Sequence, residues 1–337
     1  MIFRRLCSTT ANAASQIQAN SRIISGIQPT GIPHIGNYLG FIDNFVRLQN
    51  EHDSAQKFLF LADYHSISVG LPKIGELDQN VRQMTACLLA CGVDPKRTIY
   101  FAQSQILEHT EFSWILSSMQ SIARLQRLTQ FKDKAGRYST ANVPLGLISY
   151  PLLQVGDVLL YKGTHVPVGE DQTQHFNLIG GFARKINNRI NEEFFPIPVM
   201  LTSNYPRIKS LRNPAQKMSK SDASKYSCVF ITDSADTIRE KIRRAFTDDC
   251  KFCLRSHIRT LKKLWRIANH WTLWGLKDRT ADVLIAHFEP IRTKYEKIIE
   301  EPSFIVETLA NGREKAHKIA QENMLHLKER LGFYTGK

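Results

Sequence analysis

Apolar and polar positions along the first third of the chain follow two alternating periods. Arg22–Ser25 is a short apolar run that reads as a buried strand, and Lys57–Ala62 (KFLFLA) is a longer continuous one, the pattern of a strand covered on both faces. Thr98–Ala102 (TIYFA) is a third. Between them Ile35, Tyr38, Leu39, Ile42, Phe45 and Val46 recur at helical spacing, and Glu76–Cys91 reads as a helix closed by Gly92 and Asp94-Pro95. This β-α-β-α-β rhythm predicts an α/β protein with a parallel sheet. Glu108–Phe131 is helical in pattern, with Trp114, Leu116, Met119, Ile122, Leu125 and Leu128 largely on one face, and Lys132–Arg137 reads as a charged, solvated turn. Past Pro151, residues Leu153, Gln154, Asp157 and Tyr161 share one helical face, with Tyr150 leading into it. Thr164–Val168 reads as a strand, Thr173–Ile190 as a helix and Lys209–Ser221 as a polar loop near Pro206 and Pro214. Ala281–Ile299 and Ser303–Gly332 are amphipathic helices separated by Pro302.

Composition narrows the class. With 337 residues, 42% hydrophobic and 23% charged, the chain has room for two domains and a sizeable core. No run of about 18 apolar residues exists, so no membrane span is expected. A net charge of +14 favours a polyanionic partner, most simply nucleic acid. Six cysteines do not suggest a disulfide framework. Cys87 and Cys91 read as core residues, and Cys250-x-x-Cys253 with His257 is only half of a metal site, so no metal ligand is assigned. Residues 1–20 are basic, rich in Ser and Thr, and followed by no acid before Asp43, the composition of a mitochondrial transit peptide leading to the matrix.

Two stretches carry chemistry. Gly26–Gly40 runs from strand through a Gly/Pro turn into a helix whose first turn holds His34, Gly36 and Asn37. A helix start offers unpaired N–H groups, Gly36 permits close approach, and His34 and Asn37 can donate to phosphate oxygens. The stretch lacks G-x-G-x-x-G, which disfavours a nicotinamide enzyme. The second stretch is Lys217-Met218-Ser219-Lys220-Ser221, two lysines three apart that can wrap a pyrophosphate and offset its charge as it leaves. Elsewhere, Asp63-Tyr64-His65-Ser66 closes a strand at its carboxyl end. Asp157 among apolar neighbours requires a donor, either a substrate N–H or an internal partner. Gly169-Glu170-Asp171-Gln172 sits at a strand-to-helix junction, suited to ribose hydroxyls, an amino group or a cation, or to helix capping.

Taken together, Pro29–Asn37 and the KMSKS loop resemble the two signatures of class I aminoacyl-tRNA synthetases. Within that class GIQPTG, YPLLQVGD and VPVGEDQ resemble the tryptophanyl-tRNA synthetase family in its bacterial-type mitochondrial form. The likeness runs from about Ile23 to Thr247 and resumes near Ala281. It implies a Rossmann-like catalytic domain over 21–222, a mostly helical anticodon-binding domain over 223–337 and a homodimer. The implied ligands are ATP, Mg2+, L-tryptophan and tRNA(Trp), and the implied reaction is adenylate formation followed by transfer to the terminal adenosine of tRNA. Carried over by position, Gln28, Pro29, Thr30, Gly36 and Asn37 would hold ATP, Gly169, Glu170 and Asp171 would lie near ribose and α-phosphate, and Ile208 and Met218 would flank adenine. Lys217, Ser219, Lys220 and Ser221 would meet the triphosphate, with His34, Asn37, Lys217 and Lys220 catalytic. Asp157 would accept the indole N–H, and Tyr150, Gln154 and Gln172 would complete the tryptophan site.

Three departures accompany the likeness. Ile24 stands where the family commonly has Phe against the indole, and Gln154 where many bacterial members have Met. Tyr150-x-x-x-Gln154-x-x-Asp157 is also similar to the pocket of tyrosyl-tRNA synthetases, which bind a phenol. Residues 250–279 carry eight Lys or Arg against Asp278 alone, with three of the chain's four Trp; the spacing fits a basic amphipathic helix that could grip tRNA phosphate, and the stretch is either a divergent insertion or an altered reading of the gene. Small-molecule nucleotidyltransferases share the first motif, and an RNA-binding protein descended from a synthetase would keep the fold without charging tRNA.

Overall fold

Five parallel strands form one sheet: β1 (Arg22–Ile27), β2 (Gln56–Leu61), β3 (Ile99–Ala102), β4 (His165–Val168) and β5 (Val199–Thr202), in spatial order β3-β2-β1-β4-β5. The computed structural model describes residues 17–136, 138–139, 142–169, 172–202, 208–220, 222, 224–246 and 272–336. Residues 1–16 of the expected leader, Glu170, Asp171, Ser221, Cys250-x-x-Cys253 and residues 250–271 of the basic segment lie outside the described residues. Among the described residues, no helix is long and apolar enough to cross a membrane.

The alternation of the strands fills two cores. Leu59, Leu61 and Tyr100 face one layer with Tyr38, Ile42 and Phe45, while Phe58, Phe60 and Phe101 face the other with Phe112, Leu152 and Phe182. Both faces of β2 are therefore covered, as its unbroken apolar run predicts. Chain order reverses direction across the sheet between β1 and β4, so their carboxyl ends diverge into helices on opposite sides and leave a crevice.

The helices that frame this crevice are α1 (Ile35–Asn37), continued through a π-helical turn (Tyr38–Ile42) into α2 (Asp43–Glu51), then α3 (Asp63–Ser66), α4 (Glu76–Ala90), α5 (Glu108–Ser117), α6 (Leu145–Leu159) and α7 (Thr173–Ile190). After β5 the named elements are helical: α8 (Ala235–Arg243), α9 (Leu273–Ile299) and α10 (Pro302–Leu331).

Several expectations are corrected. Glu108–Phe131 is not one helix: α5 stops at Ser117, and two short helices follow at Ile122–Leu125 and Thr129–Ala135. Ser117 and Ser118 donate their hydroxyls to the carbonyls of Ser113 and Ile115, at 2.7 Å each, competition that favours an end there. Trp114 is consequently 78% exposed rather than part of a buried stripe. Lys132–Ala135 is helical, not a turn. Pro151 lies inside α6, where burial of Leu152, Val155 and Leu159 carries the helix past one missing N–H. Lys277, counted with the basic segment, is buried and donates to the carbonyls of Arg243 and Ala245 at 2.8 Å each, so it closes the end of α8 rather than facing a phosphate.

The last helix crosses the β3 edge of the sheet. Ile305 and Leu309 join one core layer, and Ala316, Ala320, Met324 and Leu327 join the other. The crossing point is Gly312, where a Cβ would lie 1.6 Å from the carbonyl oxygen of Tyr100. Only glycine permits so close an approach.

Candidate active site

The first motif is built around an unusual cap. His34 precedes α1 in extended conformation, and its Nδ1 accepts from the N–H groups of Gly36 and Asn37 at 3.0 and 3.3 Å. Asn37 returns the contact, its Oδ1 accepting from the His34 N–H at 3.2 Å, which completes a capping box. The ring of His34 lies so close that a Cβ on Gly36 would meet it at 2.8 Å, so Gly36 makes room for its own neighbour's imidazole. This corrects the expectation of open amides: two first-turn N–H groups are taken by His34. With Nδ1 accepting, the ring hydrogen sits on Nε2, and donors remain at His34 Nε2 and Asn37 Nδ2. Burial, with the charges of Lys220 and Lys217, lowers His34 to about 4, so it is neutral at physiological pH.

The KMSKS loop meets this motif. Lys220 Nζ donates to Thr30 O, Thr30 Oγ1 and Gly31 O at 3.2, 3.3 and 3.0 Å, and the backbone of His34 bridges Phe230 just beyond the loop. Burial pulls Lys220 down to about 8. Lys217 is exposed and pairs through its backbone with Lys209, while Met218 N–H donates to Ile208 O at 3.0 Å. The Met218 side chain is buried in the core, so of the two residues expected to flank adenine, Ile208 alone is partly open.

A cavity of about 320 Å³ opens at the divergence of β1 and β4. It gathers Gln28 and Gly169 from the expected nucleotide set with Tyr150, Gln154, Asp157 and Gln172 from the expected amino-acid set, and Ile24, Phe41 and Phe60 add apolar walls. His34, Asn37 and Lys217 are not among its walls. Tyr150 is held firmly: its hydroxyl donates to Gln130 at 3.0 Å, its ring stacks on His175 at 5.4 Å, and Lys134 Nζ lies 4.7 Å above it.

Asp157, 1% exposed, is the most constrained group in the cavity. Oδ1 accepts from Gln103 Nε2 and His109 Nδ1, both at 2.6 Å, and Oδ2 accepts from His65 Nε2 at 2.9 Å. Burial alone raises a carboxyl group, but here the hydrogen bonds and attraction of His109 and His65 prevail and hold it at about 2. Gln103, His109, Gln130 and Lys134 carry no site signal of their own in the sequence, and His65 stands out there only as part of the polar Asp63–Ser66 stretch. The available signal was position, since His65 and Gln103 directly follow the carboxyl ends of β2 and β3.

A parallel sheet of this order, a cavity at its crevice and two phosphate-type loops tied together beside it define a nucleotide-dependent enzyme of the class I synthetase type. The family model for "tRNA synthetases class I (W and Y)" matches residues 16–298. A mitochondrial tryptophan–tRNA ligase of Caenorhabditis elegans is 41% identical over 326 residues, covering 92% of this chain and 90% of that protein. A tryptophan–tRNA ligase of Rickettsia bellii is 39% identical over 327 residues, covering 92% and 98%. Among solved structures, tryptophanyl-tRNA synthetase of Campylobacter jejuni complexed with ADP and tryptophan superposes with a TM-score of 0.78 at 32% identity, covering 93% of this chain and 100% of that one. The chain belongs to the class I tRNA synthetases of the tryptophan and tyrosine group, among its tryptophan–tRNA ligases.

Proposed function

We infer that this chain ligates tryptophan to tRNA(Trp) for translation in the mitochondrial matrix. The observation that carries the reading is the cavity, which puts an ionised, acceptor-only Asp157 at the foot of an aromatic-walled slot beside the tied signature loops. Asp157 accepts the indole N–H, and Tyr150 and Gln172 hold the amino end. The tryptophan carboxylate then attacks the α-phosphorus of ATP and pyrophosphate departs. No protein nucleophile takes part, so the protein aligns the reactants and neutralises charge. Lys217 and Lys220 take the departing pyrophosphate, and His34 Nε2–H and Asn37 Nδ2 donate to phosphate oxygens. Magnesium, when bound, shares the negative charge of the phosphates. In the second step the activated acyl group passes to a ribose hydroxyl of the terminal adenosine of tRNA.

The chain works as a homodimer in this reading. Leu107 and Trp114, seven apart along α5 and its lead-in, are 70% and 78% exposed, apolar area that a second copy would cover. The test of function is ATP–pyrophosphate exchange with each amino acid in turn, followed by tRNA charging. Exchange dependent on tryptophan, lost in Asp157→Ala through a raised KM for tryptophan with KM for ATP unchanged, is the expected result. Exchange driven by tyrosine, or by no amino acid, overturns it.

A further inference from the structure

The groups behind Asp157 form a chain that continues away from the cavity. His109 Nδ1 meets Asp157 Oδ1 at 2.6 Å, and on the other side of the ring His109 Nε2 meets the Tyr161 hydroxyl at 2.9 Å. His109 and Tyr161 are each 0% exposed. Asp157, once ionised, can only accept, so His109 must present a hydrogen at Nδ1. Tyr161, kept protonated by burial and by the neighbouring charges of Asp157 and Glu108, donates to Nε2. In the neutral ring, whose one hydrogen is then on Nδ1, Nε2 is the acceptor and the hydrogens run from Tyr161 to His109 and from His109 to Asp157.

Acceptor capacity completes the argument. Among the described residues, Oδ1 is filled by Gln103 and His109 while Oδ2 takes only His65, so the place left for a ligand is on Oδ2. Among the described residues, titratable or charged groups are brought to Asp157, its relay or its cavity by His65 from α3, His109 and Glu108 from α5, Tyr150 and Tyr161 from α6 and its exit, His175 from α7 through its stack on Tyr150, and Lys134 from the helix Thr129–Ala135. Gln103 adds a neutral donor from the turn after β3.

We propose that Tyr161 and His109 are positioning residues that turn Asp157 into an acceptor with one open site, and that this relay, behind the carboxylate itself, sets the preference for a ring carrying an N–H donor. The proposal rests on Asp157 accepting the indole N–H. Without His109, Oδ1 loses a charge-assisted bond in a water-poor site, the carboxylate binds a proton more readily, and its open oxygen ceases to select a donor.

The test uses the full chain and ATP–pyrophosphate exchange between pH 5 and 8. The substrates are tryptophan and 3-(benzothienyl)alanine, in which sulfur replaces the indole N–H. The variants are His109→Leu, His109→Asn, whose amide nitrogen falls near the Nδ1 position, and Tyr161→Phe, which removes one oxygen and little volume. Wild type should prefer tryptophan, and His109→Leu should lose about tenfold or more of that preference while KM for ATP stays within about twofold. His109→Leu should also gain an acid limb in kcat/KM for tryptophan that wild type lacks, and His109→Asn should recover most of the preference. Tyr161→Phe should lose part of it, a readout that stands even if His109→Leu does not fold. Equal loss in the Leu and Asn variants, or full discrimination and an unshifted pH profile in both His109→Leu and Tyr161→Phe, overturns the relay. A wild-type enzyme that fails to discriminate the two substrates overturns the indole–Asp157 reading beneath it, a separate outcome.

Discussion

Gly312→Ala tests the seam between the last helix and the sheet with a single methyl group. That carbon would be placed 1.6 Å from the Tyr100 carbonyl oxygen and 2.5 Å from its carbon, both backbone atoms of the buried edge strand β3, which its ladder to β2 keeps from swinging aside. Helix α10 would have to retreat by roughly 1.5–2 Å to restore ordinary contact. The retreat would loosen Ile305, Leu309, Ala316 and Ala320, which are between 0% and 7% exposed and anchor the helix on both core layers. Overpacking of this kind costs about 1–3 kcal/mol or more. Alanine returns about 1 kcal/mol through its better helix propensity. With the disturbed packing included, a net loss of about 3 kcal/mol is expected. In urea unfolding followed by circular dichroism the midpoint should fall by about 1 M with the slope unchanged. Asn311→Ala, one position away and exposed, should leave the midpoint in place or raise it slightly. A Gly312→Ala protein as stable as wild type would refute the packing argument.

Two further outcomes follow from groups whose ionisation the site perturbs. His34 is lowered to about 4 in the folded protein against 6.5 for the free side chain, so the unfolded chain takes up the proton first as pH falls. Stability should therefore drop by about 2 kcal/mol between pH 7 and 4.5, and the His34-dependent part of that slope should vanish in His34→Asn, which keeps an N-cap acceptor that does not titrate. Urea midpoints at the two pH values check it, and an unchanged slope in the variant would contradict the cap. Lys220, lowered to about 8, loses charge as pH rises, so kcat/KM for ATP should fall above pH 8 in wild type. Lys220→Arg, slower overall, should stay flat to about pH 9.5 because guanidinium keeps its charge; a limb that persists in the variant assigns it to another group.

How far the structure could be read in the sequence depends on whether the information was local. Strands β1 to β4 were legible because each is a short apolar run ending at a turn. β5 was not, since four residues beyond Pro196 and Pro198 carry too little period to stand out. The HIGN turn was recognisable as a helix start, but not the use of histidine as the cap acceptor, which depends on ring placement against Gly36. Asp157, set among apolar neighbours in the sequence, signals the need for a donor. Its donors come from 92, 54 and 48 positions away, brought together only by the sheet, so periodicity could not name them. The break after Ser117 was hidden for the opposite reason, as hydroxyl competition with backbone carbonyls leaves the apolar spacing intact.

The seam at Gly312 also bears on synthesis. β3 ends at Ala102, yet the helix that shields it begins at Pro302, so the ribosome extends the polypeptide long before that shield exists. Nascent chains thus display a bare strand edge, an invitation to pair with other unfinished molecules. Holding that edge in solution until release is work for chaperones, and a premature stop anywhere upstream of the final helix should yield aggregate rather than a shortened enzyme.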